Sequence, residues 1–412
     1  MQQPSPNSSG DLERRMKAEK DVEHLSIELD ERDRRYDNVS LRERLKHFTF
    51  AWYASTTSTG GVAFVICAVP GRISGLETLG TIMFIFNLCL FTAITITMIT
   101  RFILHPGTLI HSFINPHEGF FFATFWLTLA TILSNTTTYG LPATGKAPWL
   151  LTALRISFWA YKICATVFAI GYYYVLFTVR KLVITNVLPG WLLPAFPAML
   201  VGTLASAIAE SQPVEHAFPM LVAGLTYQGL GMMLAVFVFG IYFGRLLTSG
   251  LPTDASRPAM FIAVGPPSFT ALTFIRIAQD FSSSSVFSFR LLPGITNQAL
   301  IPDVLQILAL LAAIFLFMLA FWLFAIALLA TIEAIPRNGF HLNWYAYIFP
   351  NVGFTIATID IGERLESRPI QLLGSAMVVI LFLLWMLIVV CHIRAVVKRK
   401  ICWPGRDEDA YH

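Results

Sequence analysis

The stretch HFTFAWYASTTSTGGVAFVICAVP, residues 47–70, decides the fold of this chain. It is long enough to cross a bilayer, since a membrane-spanning helix needs about 20 apolar residues. Its centre nevertheless carries five consecutive hydroxyl side chains and then a glycine pair, where a helix facing lipid would carry leucine. Such a segment indicates a helix that crosses the membrane and faces a polar interior rather than lipid.

Further apolar segments follow, and the composition supports a membrane protein. Of the 412 residues, 55% are hydrophobic and 13% are charged, whereas soluble proteins carry about 25% charged residues. We place ten spans at residues 47–69, 77–103, 119–140, 149–179, 189–211, 217–247, 258–280, 302–335, 344–363 and 370–397. The sequence therefore predicts an all-α integral membrane protein with a charged cytosolic arm (1–46), a ten-helix transmembrane domain (47–397) and a short cytosolic tail (398–412).

Every second span contains residues that disrupt a helix. The even-numbered spans have no interior proline, whereas the odd-numbered spans contain Gly60, Gly61, the run Ser134-Asn135-Thr136-Thr137-Thr138, Pro194, Pro197, Pro266, Pro267 and Pro350. Proline has no backbone N–H, so the carbonyl group one turn earlier in the helix loses its hydrogen bond. Within a membrane that carbonyl must accept a hydrogen bond from protein or from water in a cavity. The alternation predicts that the odd helices line a central pore and that the even helices hold it in lipid.

The distribution of lysine and arginine predicts the orientation, because cytoplasmic loops carry an excess of these residues. With the N-terminus inside, the inner ends carry Arg42, Arg44, Lys46, Arg101, Arg180, Lys181, Arg245, Arg257, Arg337, Arg394, Lys398, Arg399 and Lys400. The outer ends carry Arg72, Lys146, Arg290, Arg364 and Arg368. The excess favours a multi-pass protein with both termini in the cytosol, and we expect the protein in the plasma membrane.

Charged residues within the spans are candidates for an anion site, because a charge in the membrane usually faces a cavity or a partner. Lys162 lies near the middle of span four and Arg276 near the outer end of span seven. The alternative is an ion pair between helices, and for the acids Glu210, Glu333 and Asp360 that alternative is favoured. The histidines show no metal-binding spacing. We therefore expect no metal, no cofactor, no nucleic acid partner and no enzyme active site, and ten spans do not favour a receptor.

Four motifs on odd spans then indicate a family. FTFAWYASTTSTGGVAF (48–64), LPAFPAMLVGT (193–203), MFIAVGPPSFTAL (260–272) and WYAYIFPNVGFTIAT (344–358) resemble fungal malic acid transport proteins of the tellurite-resistance/dicarboxylate transporter family. Plant slow-type anion channels and fungal sulfite efflux pumps belong to the same family. The resemblance covers residues 45–397 and implies five helical hairpins, with odd helices around the pore, in a homotrimer.

The resemblance also implies site residues. The pore of this family is occluded by a phenylalanine next to a proline on the ninth helix, and the matching residue is Phe349, with Phe354 as the alternative. The hydroxyls available to bind a carboxylate are Ser55, Thr56, Thr57, Ser58, Thr59, Ser268 and Thr270. The expected function is transport of malate and related C4-dicarboxylates without ATP hydrolysis. Efflux of sulfite or another small anion is the alternative on the same fold, and the direction of transport and proton coupling stay open.

Overall fold

The computed structural model describes residues 39–71, 75–179, 182–282, 300–335 and 339–403. Most of the predicted arm (1–38) and of the tail (404–412) lies outside the described residues. The same holds for five residues used to predict the orientation, Arg72, Arg180, Lys181, Arg290 and Arg337. Within the described residues the fold is all-helical, as the sequence predicts, and contains no strand.

The α-helices of the described chain are numbered in order. They are α1 (Leu41–Lys46), α2 (Tyr53–Ile66), α3 (Leu76–Leu104), α4 (Thr108–Ile114), α5 (Pro116–Gly119), α6 (Phe122–Asn135), α7 (Leu141–Ala143), α8 (Pro148–Val179), α9 (Phe196–Ala209), α10 (Val214–Ser249), α11 (Gly265–Ser282), α12 (Ile301–Ala334), α13 (Phe349–Arg364) and α14 (Arg368–Val397). The long helices coincide with the predicted spans to within a few residues at most ends.

Two sets of helices form two rings. The inner helices, α2, α6, α9, α11 and α13, contact one another in that order, and α13 contacts α2 again, so the ring is closed. The outer helices α3, α10, α12 and α14 each pack mainly against the inner helix that precedes them in the chain, whereas α8 packs mainly against α9 and less against α6. The arrangement is that of five helical pairs around one axis, which agrees with the alternation in the sequence.

Burial separates the two rings. The segments Pro189–Ala209 and Asp254–Ser282, which contain α9 and α11, are 94% buried over their most apolar stretch, whereas the outer helices are only 17 to 28% buried. The exposed surface of the outer helices is apolar: Phe177 is 80% exposed and Phe315 78% exposed. In water this surface would be very unfavourable, and in a bilayer it contacts lipid. The chain is therefore a multi-pass membrane protein.

Seven described segments are long and apolar enough to cross a membrane, namely the five outer helices and the segments containing α9 and α11. The other inner helices, α2, α6 and α13, have 14, 14 and 16 residues. A helix rises about 1.5 Å per residue, so these three reach across the hydrocarbon core only with the segments that flank them. The total of ten spans stays a prediction.

Most inner helices begin with a 3₁₀ segment rather than with a cap. The segments Phe50–Trp52, Pro189–Ala195, Asp254–Val264 and Leu342–Tyr347 lead into α2, α9, α11 and α13. Proline is tolerated in the first helical turn, where its missing N–H would have no partner. Pro197, Pro266, Pro267 and Pro350 occupy such positions, and Pro194 lies inside a 3₁₀ segment. These prolines therefore mark helix starts within the inner ring.

Two details of the predicted pattern are wrong. The break expected at Gly60 and Gly61 is absent, because α2 continues through both residues and the change of helix type lies earlier, at Phe50–Trp52. The even spans were expected to have no interior proline, but α10 begins at Val214, so that Pro219 lies inside it. The polar run of span three does interrupt its helix, since Thr136–Gly140 forms a π-helical turn between α6 and α7.

Candidate functional site

Two cavities lie inside the inner ring. The first cavity has an empty volume of about 460 Å³ and is lined by Ala54, Thr57, Ser58, Phe121, Thr124, Leu127, Leu193, Phe196, Ile262, Leu342, Asn343, Tyr345, Ala346, Phe349 and Pro350. The second cavity, of about 320 Å³, is lined by Gly61, Phe64, Ala130, Thr131, Ser134, Leu200, Thr203, Leu204, Phe269, Phe349 and Val352. All five inner helices or the segments that lead into them contribute to both walls.

The order of the lining residues shows how the cavities are arranged. On α2 the first cavity is lined by Ala54 to Ser58 and the second by the later residues Gly61 and Phe64. The same order, earlier residues at the first cavity and later residues at the second, holds along α6, α9, α11 and α13 with their leading segments. The five helices therefore run in one direction, and the two cavities follow each other along the ring axis.

Phe349 is the residue that lines both cavities. It is the first residue of α13 and is only 6% exposed. Its ring stacks on that of Phe269 from α11, with centroids 5.3 Å apart and planes at 28°. Phe354, the alternative, packs instead on Phe317 and Phe324 of α12 and lines neither cavity. The geometry places the Phe349 ring between the two cavities.

Gly61 gives the Phe349 ring its space. A Cβ atom on Gly61 would lie 3.2 Å from Cδ2 of Phe349 and 3.0 Å from Cγ2 of Val352, closer than ordinary van der Waals contact. Gly60 faces the other way, towards Thr131 of α6 and Asn87 of α3. The glycine pair thus permits close approach of neighbours on both sides of α2, instead of breaking the helix.

The first cavity lies at the N-terminal ends of inner helices. Helices α9, α11 and α13 begin at Phe196, Gly265 and Phe349, and a Cβ on Gly265 would contact the ring of Phe196 and approach Cβ of Pro350. The N-terminus of a helix carries a partial positive charge of about half a unit. The α-helical starts of α9, α11 and α13 lie at the border of the first cavity, but each is preceded by a 3₁₀ segment, so the first free N–H groups lie earlier, at the starts of those segments. No lysine, arginine or histidine of the described residues lines either cavity.

The hydroxyl run of α2 divides into two groups. Thr57 and Ser58 line the first cavity, whereas Ser55, Thr56 and Thr59 line neither cavity. Most of these hydroxyls form hydrogen bonds within α2 or with a neighbouring helix. Thr56 Oγ1 lies 2.8 Å from Thr128 Oγ1 of α6, and Thr59 Oγ1 accepts a hydrogen bond from Trp385 Nε1 at 3.1 Å. The run therefore joins α2 to α6 and α14, and two of its members also face the cavity.

Ser268 and Thr270 are buried at the start of α11 and line neither cavity. Ser268 Oγ donates to the carbonyl of Val264 and Thr270 Oγ1 to that of Pro266, both at 2.6 Å. The hydroxyl of Thr270 is also hydrogen-bonded to the side-chain amide of Gln228 at 2.8 Å. Both hydroxyls are thus occupied by helix and interhelix contacts.

Arg276 forms an ion pair. Its Nε and Nη2 donate to the two carboxylate oxygens of Asp360 on α13, at 2.8 and 3.3 Å. The side chain of Arg276 is 25% exposed, and its guanidinium carbon lies 5.7 Å from the ring centre of Phe64, which lines the second cavity. Arg276 therefore lies beyond the second cavity, on the side away from Phe349, and holds α11 to α13.

Lys162 lies between two outer helices. Its ammonium is 4.8 Å from the ring centre of Trp159 on α8 and 5.5 Å from that of Tyr227 on α10. Cation–π contacts of this kind stabilise a cation by about 0.5–2 kcal/mol. The structure does not bring Lys162 to either cavity. Glu333, at the end of α12, forms an ion pair with Arg257 at 3.4 Å. An ion pair is the interpretation that the sequence analysis favours for this acid.

The sequence analysis missed several lining residues. Thr124 and Thr131 of α6 stand at helical spacing with Ser134, which the predicted polar run of span three already contained, and that periodicity was the available signal. Phe269 lies near the start of α11, after Gly265-Pro266-Pro267, and Phe349 is the first residue of α13. A single aromatic residue in an apolar span does not by itself indicate that it lines a cavity. Asn343, in the 3₁₀ segment before α13, was not considered because it precedes the predicted span.

The sequence matches the voltage-dependent anion channel family over residues 47–393. The chain belongs to this family. Two proteins of Schizosaccharomyces pombe are similar to it: a "putative malic acid transport protein", 35% identical over 90% of this chain and 85% of that protein, and a "malic acid transport protein", 34% identical over 91% and 84%. A sulfite efflux pump of Arthroderma benhamiae is 25% identical over 84% of this chain and 89% of that protein.

Membership confirms the predicted resemblance and the class of function. This family and the relatives named above are channels and transporters rather than enzymes. The chain is accordingly an anion-transport protein of the membrane, in agreement with its apolar outer helices.

Proposed function

We propose that the protein transports malate and related C4-dicarboxylate anions across the plasma membrane along the axis of the inner ring. The observation that carries the proposal is the position of Phe349 between two cavities to which every inner helix contributes. In this proposal the Phe349 ring is the pore gate. It closes the path at rest and moves aside, or shifts with α13, when an anion passes.

Anion selectivity comes from the fold rather than from a metal or a lysine. The dipoles of α9, α11 and α13 point their positive ends to the side of the first cavity, which favours an anion there, and broken helices act on anions in this way in other transporters. A neutral wall with positive helix ends attracts an anion without binding it so tightly that it cannot leave, which conduction requires. Arg276 adds a cation at the far end of the second cavity, close to Phe64.

Malate is favoured over other anions by the relatives. The two malic acid transport proteins are 34 and 35% identical to the chain over about nine-tenths of its length, against 25% for the sulfite efflux pump. Sulfite efflux is the second candidate function, since that pump also aligns with 84% of the chain.

The assembly and orientation belong to the same proposal. Homotrimers, with one path in each protomer, follow from the resemblance described above, and the excess of lysine and arginine at the predicted inner ends favours cytosolic termini. The first cavity, at the N-terminal ends of the inner helices, then faces the cytosol, and the second cavity faces outward.

The test is uptake of labelled malate and of labelled sulfite by proteoliposomes that contain the purified protein. Each substrate is measured with and without a membrane potential and a pH gradient, and empty liposomes give the background. Malate uptake above background supports the proposal, and its dependence on voltage or on pH tells channel-like flux from proton-coupled transport. Sulfite uptake without malate uptake would replace the first candidate function by the second.

A further inference from the structure

The second cavity contains a hydroxyl group that has no hydrogen-bond partner. Ser134 lines this cavity from α6 and is 5% exposed. Its Oγ forms no hydrogen bond with any described residue, and this atom is not sealed off from the cavity. A hydroxyl inside a helix can donate to the carbonyl one turn earlier, as Thr131 Oγ1 does on the same helix, to the carbonyl of Thr128 at 2.8 Å. The proton of Ser134 is therefore available to a ligand in the second cavity.

A second hydroxyl of the same wall belongs to a network that begins at an outer helix. Gln228 lies on α10 and is completely buried. One end of its side-chain amide lies 2.7 Å from the carbonyl oxygen of Met199 and 3.3 Å from Thr273 Oγ1. Two acceptor oxygens at 2.7 Å would have no proton between them, so the end at Met199 is Nε2, which carries two protons. Gln228 therefore donates to both Met199 and Thr273, and its Oε1 accepts from the backbone N–H of Thr270 at 3.3 Å.

This orientation of the amide fixes the direction of the next hydrogen bond. Thr273 Oγ1 accepts from Gln228 and lies 3.2 Å from Thr203 Oγ1 on α9. Thr273 is completely buried, and within the described chain these two residues are the partners of its hydroxyl, so its proton goes to Thr203. The carbonyl one turn before Thr203 is that of Met199, which already accepts from Gln228. Thr203 thus keeps its own proton for the second cavity, which it lines.

Gly202 gives the side chain of Gln228 the space to reach the inner ring. Helix α9 continues through Gly202. A Cβ atom on this residue would lie 2.5 Å from the amide of Gln228 and 3.0 Å from Cγ2 of Thr273. Both neighbours are completely buried, so a larger residue at this position would displace the hydrogen-bonded network.

We propose that Ser134 and Thr203 form an anion-binding subsite in the second cavity, and that Gln228 is a positioning residue that turns the Thr203 hydroxyl towards it. Both hydroxyls donate to oxygen atoms of the transported anion, whether these belong to a carboxylate or to sulfite. The two residues lie on α6 and α9, which contact each other in the inner ring. The inference rests on the proposed path through both cavities, but not on the choice of malate as the substrate.

Neutral donors suit a binding site on a conduction path. A hydrogen bond to a charged acceptor is stronger than one between neutral groups, yet a hydroxyl carries no full charge, so the anion is held and can still leave. Arg276 lies beyond the second cavity, where it is paired with Asp360. The subsite therefore holds the anion between Phe349 and Arg276.

The first test is Ser134→Ala, measured as the malate and sulfite concentrations that give half-maximal uptake into proteoliposomes. Because Ser134 has no partner among the described residues, the substitution removes no hydrogen bond described within the protein, and the melting temperature should stay unchanged. The half-saturating concentration of the transported anion should rise about tenfold, as expected for the loss of one hydrogen bond to a charged group. An unchanged half-saturating concentration overturns the subsite.

The second test asks whether Gln228 acts through Thr203. Thr203→Val removes the hydroxyl, keeps the shape and should raise the half-saturating concentration about tenfold. Gln228→Met should raise it by a similar factor, although Gln228 lines neither cavity. In the double variant the second substitution should add no further rise, because the hydroxyl that the amide directs is absent. Multiplicative effects of the two substitutions would overturn the positioning role, and the Ser134→Ala result decides the subsite even where a Gln228 variant does not fold.

The matched controls are Ser206→Ala on α9 and Thr355→Val on α13. Ser206 Oγ donates to the carbonyl of Thr203 at 2.9 Å, and Thr355 Oγ1 donates to that of Asn351 at 2.8 Å. Both residues are buried and line neither cavity. These variants should keep the wild-type half-saturating concentration, and a rise as large as that in the two subsite variants would contradict the proposal. A wild-type protein that takes up sulfite but not malate overturns malate as the proposed substrate, and the sulfite data then test the subsite.

Discussion

The ring of Phe349 stacks on the ring of Phe269 at a centroid distance of 5.3 Å, and both rings line the second cavity. Phe349 also lines the first cavity, which Phe269 does not. The pair joins α11 to α13 at the level where the two cavities meet. Stacked aromatic pairs contribute about 0.5–1.5 kcal/mol beyond the area that they bury, so Phe269 stabilises the observed position of the Phe349 ring with a modest free energy.

Substitution of Phe349 by alanine should raise anion flux, because it removes the ring between the cavities. A barrier lowered by about 1.4 kcal/mol raises a rate tenfold, and we expect a gain of about this size in malate uptake. The measurement is the initial rate in proteoliposomes at equal protein content.

The control for this variant is Phe354→Ala. Phe354 lies on the same helix and is also buried, but it packs on Phe317 and Phe324 of α12. Removing a buried phenylalanine costs about 3–5 kcal/mol of stability, so this variant should melt earlier without a gain in flux. Unchanged or lost flux in a well-folded Phe349→Ala protein would count against the gate.

Substitution of Gly61 by valine should lower flux about fivefold or more, a change of about 1 kcal/mol in the barrier. Its Cβ would lie 3.2 Å from Phe349 Cδ2 and 3.0 Å from Val352 Cγ2, so the added methyl groups enter the second cavity and press on the ring. In a Phe349→Ala background the loss should be smaller, because the ring is gone. Equal losses in both backgrounds would show that Gly61 and Phe349 act independently.

Substitution of Arg276 by alanine should weaken malate uptake while the protein still reaches the membrane, because the cation beyond the second cavity is lost and Asp360 loses its ion-pair partner. Asp360→Asn should not weaken uptake, since it leaves the positive charge in place. Uptake kinetics and thermal stability are measured for both variants. Normal malate kinetics in Arg276→Ala would reassign Arg276 to a purely structural ion pair with Asp360.

Substitution of Lys162 by methionine should leave malate uptake within about twofold of wild type. The ammonium contacts the rings of Trp159 and Tyr227 between outer helices, and the cation–π contribution at stake is about 0.5–2 kcal/mol of stability. The rate of labelled malate uptake tests this. A large loss of uptake at unchanged melting temperature would show that Lys162 acts on the substrate after all.

Much of the architecture could be predicted from the sequence. Hydropathy located the helices, because a membrane imposes long apolar segments. The helix-disrupting residues of the odd spans identified the inner ring, because backbone groups without hydrogen-bond partners are not tolerated against lipid. The resemblance added Phe349, which the structure places between the cavities; its role as a gate remains a prediction.

The orientation of individual side chains could not be predicted. Five consecutive hydroxyls point in all directions around a helix, so only packing decides that Thr57 and Ser58 face the cavity and Thr59 faces Trp385. The glycine pair of α2 looks like a helix break in the sequence, yet the helix continues through both residues, and neighbouring side chains approach it closely on both sides. Asn343 was missed because it precedes the predicted ninth span, and only the structure shows that the 3₁₀ segment containing it lines the first cavity.

The central claim is that one axial path is closed at Phe349, and accessibility of introduced cysteines tests it most directly. Ala54→Cys probes the first cavity and Ala130→Cys the second, in a background where the five native cysteines are replaced. With Phe349 present, a small membrane-impermeant thiol reagent should label the two positions from opposite sides of the membrane. In Phe349→Ala each position should be labelled from both sides. Labelling of both positions from one side in the presence of Phe349, or no change on its removal, would contradict the account.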